Sequence, residues 1–203
     1  MKTMNNTFYE EAPGIRRLRV PFEAIYTSVF LIEADHARIL VDCGATPCDV
    51  DGHIACALRE CGISFSDVDI LVLTHKHKDH AGGLSRVLEL APDIKVVKEV
   101  CRLADGIVTY PMAGHTADCI GVLDERSRTL ITGDGLQGAG VDKYRCYTER
   151  SDKYLDTLER IRSDGRVENL LFSHAYEPFC VDRMSGRDSV MECIAKCAEY
   201  VKR

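Results

Sequence analysis

Between Thr74 and Gly83 the chain reads THKHKDHAGG, which puts His75, His77, Asp79 and His80 within six positions. Neutral imidazole nitrogens and carboxylate oxygens are the donors that a borderline first-row divalent ion prefers. An isolated histidine usually binds nothing, so it is the clustering that argues for metal. On a helix, residues i and i+2 face opposite sides. The spacing therefore suits a loop that turns His75 and His77 toward one ion and Asp79 and His80 toward another. Two more histidines, His115 and His174, follow strand-like runs, and Asp134 sits between glycines in Gly133-Asp134-Gly135. Seven donors, each at or near a strand end, suit two ions that share a bridging carboxylate.

Strands must deliver these donors. The run Ile70-Leu71-Val72-Leu73, just before the cluster, has the apolar character of a buried parallel strand. Upstream, 15–22 and 24–33 read as strands, and Asp35-His36 turns the chain into a third at 38–42, leaving His36 exposed at a hairpin tip. Residues 50–61 carry Ile54, Ala57 and Leu58 at helical spacing, with Gly62 as a stop and His53 on the surface. A second helix over 82–90 ends at Ala91-Pro92. A short strand near 94–97, a connection through 102–106 and a strand over 107–110 follow. Runs at 118–123 and 128–132, joined by a polar turn, deliver His115 just before one and Asp134 just after the other. Ser151 is placed to cap a helix over 152–161, and a strand over 168–172 leads to Ser173-His174. The last segment predicts a covering helix, with Ser185-x-x-Asp188 as a capping box and Val190, Ile194, Cys197 and Val201 as its apolar stripe. Residues 135–150 are glycine-rich, then basic and aromatic. Lys143, Tyr144, Arg145 and Tyr147 offer cations and phenols to an anionic substrate there, a plain solvated loop being the alternative.

The motifs His75-x-His77-x-Asp79-His80, Gly114-His115-Thr116, Gly133-Asp134 and Ser173-His174 resemble, in kind and order, those of the metallo-β-lactamase-fold hydrolases over about residues 15–178. The resemblance is to the glyoxalase II and lactonase branch, because Asp134 stands where the β-lactamases proper commonly carry a cysteine. It implies an α+β chain folded as a four-layer αββα sandwich, a single domain over 1–203, with metals at one edge of the two sheets. It implies His75, His77 and His115 on one ion, Asp79, His80 and His174 on the other, and Asp134 bridging. It also implies that Asp42, in Val41-Asp42-Cys43-Gly44, hydrogen-bonds around the ligands; a helix cap or turn is the alternative reading of that residue.

On this resemblance the cofactor is a pair of divalent ions, zinc first, with iron or manganese as alternatives. A hydroxide bridging them would attack a small ester-like substrate, a thioester first and a lactone second, with Asp79 or Asp134 carrying the proton. A mononuclear iron oxygenase of the persulfide dioxygenase type and a metal-dependent phosphodiesterase compete with this expectation. Flavodiiron relatives generally place a glutamate at the position of His77, which counts against them. The chain also departs from the pattern. Lactonase relatives carry a tyrosine three residues after the bridging aspartate, where this chain has Gln137, and the 81–114 segment is shorter than in relatives.

With 203 residues the chain suits one well-packed domain. Its net charge of −6 counts against nucleic acid or an anionic membrane as a partner and leaves a small molecule as the expected one. No apolar run approaches the roughly 18 residues of a membrane span. The polar, acidic first residues lack the apolar core of a secretory signal, so a cytoplasmic location is expected. The ten cysteines form no CxxC pair and no compact framework, which points to thiols rather than disulfides. Oligomeric state has no signature in the sequence.

Overall fold

Two sheets carry the donors. The computed structural model describes residues 6–136, 148–175 and 180–201, and the chain divides into two compact units, 1–98 and 99–203. The first unit holds one six-stranded sheet in sequence order: β1 (Tyr9–Ala12), β2 (Ile15–Phe22), β3 (Ile25–Ala34), β4 (Ala37–Val41), β5 (Ile70–Val72) and β6 (Lys95–Val97). β1 to β4 form an antiparallel meander, whereas β5 and β6 are added in parallel. A parallel neighbour requires a crossover. Between β4 and β5 the crossover is α1 (Pro47–Asp49), a π turn (Val50–Ile54) and α2 (Ala55–Glu60); between β5 and β6 it is α3 (Lys78–Ala81) and α4 (Leu84–Leu90).

Strand alternation explains the packing. Leu18 and Val20, Val29 and Leu31, Leu40 and Leu71 form a cluster with Val50, Ile54, Ala57, Leu58 and Val87 of the crossovers. Burial of each such side chain contributes about 1.5–3 kcal/mol. The alternate residues Ile15, Phe30, Ile32, Ile39 and Val72 are buried as well, as expected for strands that read as continuous apolar runs.

The second unit holds a sheet in the order β12-β11-β10-β9-β8-β7, comprising β7 (Arg102–Ala104), β8 (Ile107–Pro111), β9 (Ile120–Asp124), β10 (Thr129–Ile131), β11 (Asn169–Leu171) and β12 (Arg183–Ser185). β10 and β11 run parallel and the other neighbours antiparallel. Helices α5 (Ser151–Ser163) and α6 (Arg187–Val201) contribute Tyr154, Leu158, Ile161, Val190, Cys193, Ile194 and Cys197 to a core with Leu123, Leu130, Leu170 and Phe172.

Several expectations need correcting. β1 falls in the polar, acidic first residues, for which no element was expected; Glu11 meets Arg17 at 2.7 Å with both side chains nearly buried, and Arg19 lies 5.2 Å from the Tyr9 ring. Arg102–Ala104 is a strand that hairpins with β8, not a plain connection. The first helical run starts at Pro47, because the Thr46 hydroxyl accepts the Asp49 N–H at 3.2 Å and proline suits the opening position. Ser151 is the first helical residue rather than a cap, and Arg150 before it pairs with Asp152 at 2.8 Å. Ser185 closes β12, where its hydroxyl accepts from Arg183, so it forms no capping box for α6. His53 is half-buried, 2.6 Å from Asn6 Oδ1, while His36 is exposed in its turn as expected. No helix of the described residues is long and apolar enough to cross a membrane.

The loop 43–45 presses on the turn that carries the histidine cluster. Cys43 N–H donates to His80 O at 2.8 Å and Gly83 N–H to Gly44 O at 3.1 Å. A Cβ on Gly82 would lie 2.1 Å from Ala45 O and 2.5 Å from Lys78 O, both backbone atoms. Gly82→Ala is therefore expected to cost about 1–3 kcal/mol. Thermal unfolding checks this, and an unchanged Tm would show that the loop yields.

Candidate metal centre

In the first unit the parallel pairing sets the geometry. Val41 lies opposite Val72, so Asp42 and Thr74 leave the same edge of the sheet side by side. Asp42 N–H still donates to Val72 O at 2.8 Å, then the backbone turns into the left-handed region with φ of 65°. This brings the Asp42 carboxylate, 1% exposed, against the next strand's end. It accepts the Thr74 N–H at 2.8 Å and the Thr74 hydroxyl at 3.0 and 2.9 Å, and its Oδ2 lies 2.7 Å from His80 Nδ1. A proton on Nδ1, held by a buried carboxylate, leaves the lone pair on Nε2. The Thr74 oxygen, having given its proton to Asp42, can accept from His75 Nδ1 at 3.2 Å, with the same result for that ring.

The cluster is half loop and half helix, not a loop throughout. His77 sits at the helix cap position with extended backbone, and Asp79 and His80 lie on the single turn of α3. His75 and His77 have ring centroids 4.6 Å apart, and His75 and His80 are 4.1 Å apart. Asp79 Oδ2 accepts the Thr27 hydroxyl at 2.9 Å and stands 3.1 Å from His80 Nε2.

In the second unit the same device recurs. Ile131 lies opposite Leu171 in the parallel pair, so Asp134 and His174, each three residues further on, meet: Asp134 Oδ1 is 3.2 Å from His174 Nε2. β9 runs antiparallel to β10, so the loop that enters β9 arrives at this edge, and His115 Nε2 is 3.5 Å from Asp134 Oδ2. The His115 loop is docked on the start of α5. Arg150 N–H donates to Gly114 O at 3.1 Å, Thr157 hydroxyl to Ala113 O at 2.8 Å, and a Cβ on Gly114 would meet Tyr154 Cα at 2.7 Å.

The donor atoms fall into two groups. His75, His77, Asp79 and His80 stand together in the first unit, and His115, Asp134 and His174 in the second. Each of the seven residues named from the motifs is among them. Five imidazoles and two carboxylates, mostly buried, are a donor set that fits a first-row divalent ion. Rings this close suit a shared cation better than separate protons. The metal-binding His/Asp cluster thus stands on the donor chemistry.

The substrate-side positions Gln137, Lys143 and Tyr144, with Arg145 and Tyr147, lie outside the described residues. Asp42 contacts Thr74 and His80 as described above. Sequence reasoning gave no role to Thr74 or Thr27. Thr74 had a signal, since it opens the histidine run directly after a strand. Thr27 had none, because a threonine within a β-branched strand is indistinguishable from filler. Cys119 belongs to neither group; its Sγ lies 3.2 Å from Thr116 Oγ1, and burial pushes the thiol up to about 11 against the lowering effect of Thr116. The buried Cys43 thiol, which donates to His80 O at 3.3 Å, is pushed up to about 12, by burial first and then by Asp42.

A solved structure of the metallo-β-lactamase FIM-1 from Pseudomonas aeruginosa, in its mono-zinc form, superposes with a TM-score of 0.73 at 15% identity, over 95% of this chain and 94% of that one. The fold is that of the metallo-β-lactamases. A hydroxyacylglutathione hydrolase from Francisella tularensis is 27% identical over 50% of this chain and 47% of its own. A thioesterase, pkgB, from Emericella nidulans is 30% identical over 56% of this chain and 37% of its own. The chain spans about half the length of the first of these, or less for the second. A family model described as Anti-Pycsar protein Apyc1 matches residues 22–91, the part of the metallo-β-lactamase fold that includes the 75–80 cluster.

Three outcomes are expected. Asp42→Asn keeps a side chain tolerant of left-handed backbone but removes the charge that orders His80, and should weaken metal binding about 10–100-fold in chelator competition. Cys119 should resist alkylation at pH 8 until the protein is unfolded, read by mass spectrometry. Its folded value lies above the ordinary 9.0, so its contribution to stability is complete below pH 9 and fades as pH climbs toward 11. Cys119→Ala should therefore flatten the alkaline fall in Tm.

Proposed function

We propose that this chain is a metal-dependent hydrolase acting on a small ester-like substrate, thioester first and lactone second, with two divalent ions held by the seven donors. Zinc is the ion we favour. The observation that carries the reading is the crowding of histidine and aspartate donors at the sheet edge of each unit, His75, His77, Asp79 and His80 in the first and His115, Asp134 and His174 in the second. The names of the hydroxyacylglutathione hydrolase and thioesterase relatives support the substrate class.

In this reading His75, His77 and His115 hold one ion, and Asp79, His80 and His174 the other. Asp134, with its two oxygens 3.2 and 3.5 Å from His174 and His115, is placed to serve both. When bound, such ions would supply Lewis acidity and lower the pKa of water from 15.7 to about 7, so that a nearby carboxylate could take its proton at neutral pH. The chain's own residues supply position and proton management. Asp42 and Thr74 hold the rings of His80 and His75 with Nε2 outward. Asp134 or Asp79 accepts the proton of the attacking water and returns it to the leaving group, the role of a carboxylate within reach of the reacting atoms. No serine or cysteine nucleophile is needed, in keeping with Cys43 and Cys119 being held as buried, protonated thiols.

Elemental analysis of protein purified without chelators, followed by a screen of thioesters, lactones and phosphodiesters on the same sample, tests the proposal. About two zinc ions per chain and thioester turnover that chelation abolishes and zinc restores are the expected result. His115→Ala and Asp134→Ala should each lose bound ion and reduce turnover by more than the roughly 10–100-fold that loss of an outer partner costs. One iron per chain with oxygen uptake and no hydrolysis would overturn the reading in favour of an oxygenase. Turnover confined to phosphodiesters would overturn its substrate class.

A further inference from the structure

The hydroxyl of Thr27 stands apart from the strand that carries it. Thr27 lies on β3 opposite Val20, in the row whose next members, Val29 and Leu31, pack into the apolar core, and it is 1% exposed. Packing alone would be met by valine, which has the same shape and strand preference. A buried hydroxyl costs free energy unless it finds a partner. This one donates to Asp79 Oδ2 at 2.9 Å, across 52 residues of sequence. The same oxygen stands 3.1 Å from His80 Nε2. The torsion that sets a carboxylate's plane is soft and nearly two-fold, so a charge-assisted bond to one oxygen selects among orientations that the backbone leaves open.

We infer that Thr27 is a positioning residue for Asp79: its hydroxyl fixes the plane of the carboxylate so that Oδ2 faces His80 Nε2 and the two present their donor atoms together. The inference rests on the proposed reading that these donors hold an ion. Thr27 touches neither the ion nor the substrate. It belongs to the rigid sheet, whereas Asp79 lies on a helix of one turn, so the strand lends its order to the turn.

The test compares wild type, Thr27→Val, Thr27→Ser and Asp79→Ala by zinc titration against a chromophoric chelator, by the visible spectrum of the cobalt-substituted protein, and by Tm of the metal-free protein. Thr27→Val should bind zinc about 10–100-fold more weakly at one site, the site that Asp79→Ala abolishes, with the other unchanged. The cobalt bands of that site alone should shift, Thr27→Ser should restore both readouts, and the metal-free Tm should not change. Equal affinities and spectra in Thr27→Val and wild type would overturn the inference. So would parallel loss at both sites with a lowered metal-free Tm, which marks a structural role. A wild type from which Asp79→Ala releases no ion overturns the reading of the site, and the positioning role with it. If Thr27→Val does not fold, Thr27→Ala is judged by the same criteria.

Discussion

A buried carboxylate between two parallel strand ends is the constraint on which the first half of the site depends. Asp42 is 1% exposed and sits in left-handed backbone, which costs a residue with a Cβ roughly 1–2 kcal/mol. Burying its charge would cost more without partners. Three donors converge on it: the Thr74 N–H, the Thr74 hydroxyl and His80 Nδ1. Hydrogen bonds to an ionised acceptor are about twice as strong as neutral ones, so they can offset both costs. What results is order where a strand end would otherwise fray. The exit of β4 is tied to the exit of β5, and the ring of His80 is held in one tautomer while its other nitrogen faces Asp79.

The same architectural idea serves the second half with different chemistry. There too a parallel pair, β10 and β11, releases two functional residues at equal distances beyond a matched register, but Asp134 and His174 face each other directly rather than through a supporting acid. Parallel strands carry their C-terminal ends to one edge, so two residues far apart in sequence become neighbours without a long arm from either. The antiparallel hairpin of β9 and β10 adds His115 from the opposite chain direction. In each unit, direction of strand pairing decides which sequence-distant donors meet.

This explains what could be read from the residues and what could not. His75, His77, Asp79 and His80 were legible because metal chemistry concentrates them in six positions, and His115, Asp134 and His174 because each follows or precedes an apolar run. The central strands β3, β5 and β9 were legible from the same hydrophobic patterning. β1, β7 and β12 were not: each lies at or beside a sheet edge, is three or four residues long and carries charge, the features by which edges avoid pairing with other chains. Their placement depends on polar pairing across strands, such as Glu11 with Arg17, which apolar periodicity does not register. Helix starts were misjudged for a related reason. Thr46 and Ser151 are both good caps by type, but only Thr46 stands at a cap position, Ser151 being already inside its helix. Lys78–Ala81 became helical because a single turn suffices to bring Asp79 and His80 past His77, a choice that alternation in the sequence does not express.

Fold alone does not select a reaction, since one fold hosts many sites; the residue at position 134 does more to decide it. A cysteine there would offer one soft sulfur atom. The carboxylate offers two hard oxygens, 3.2 Å from one histidine and 3.5 Å from another, and so can serve two positions at once. It also leaves the donor set free of thiolate, because the neighbouring Cys119 is kept protonated by its burial. Nitrogen and oxygen donors alone favour ions that act as Lewis acids and activate water over those that cycle through soft sulfur ligation. Asp134 is thus the residue through which the proposed hydrolytic chemistry follows from the sequence: the strand register puts it between the histidines, and its two oxygens make that position useful.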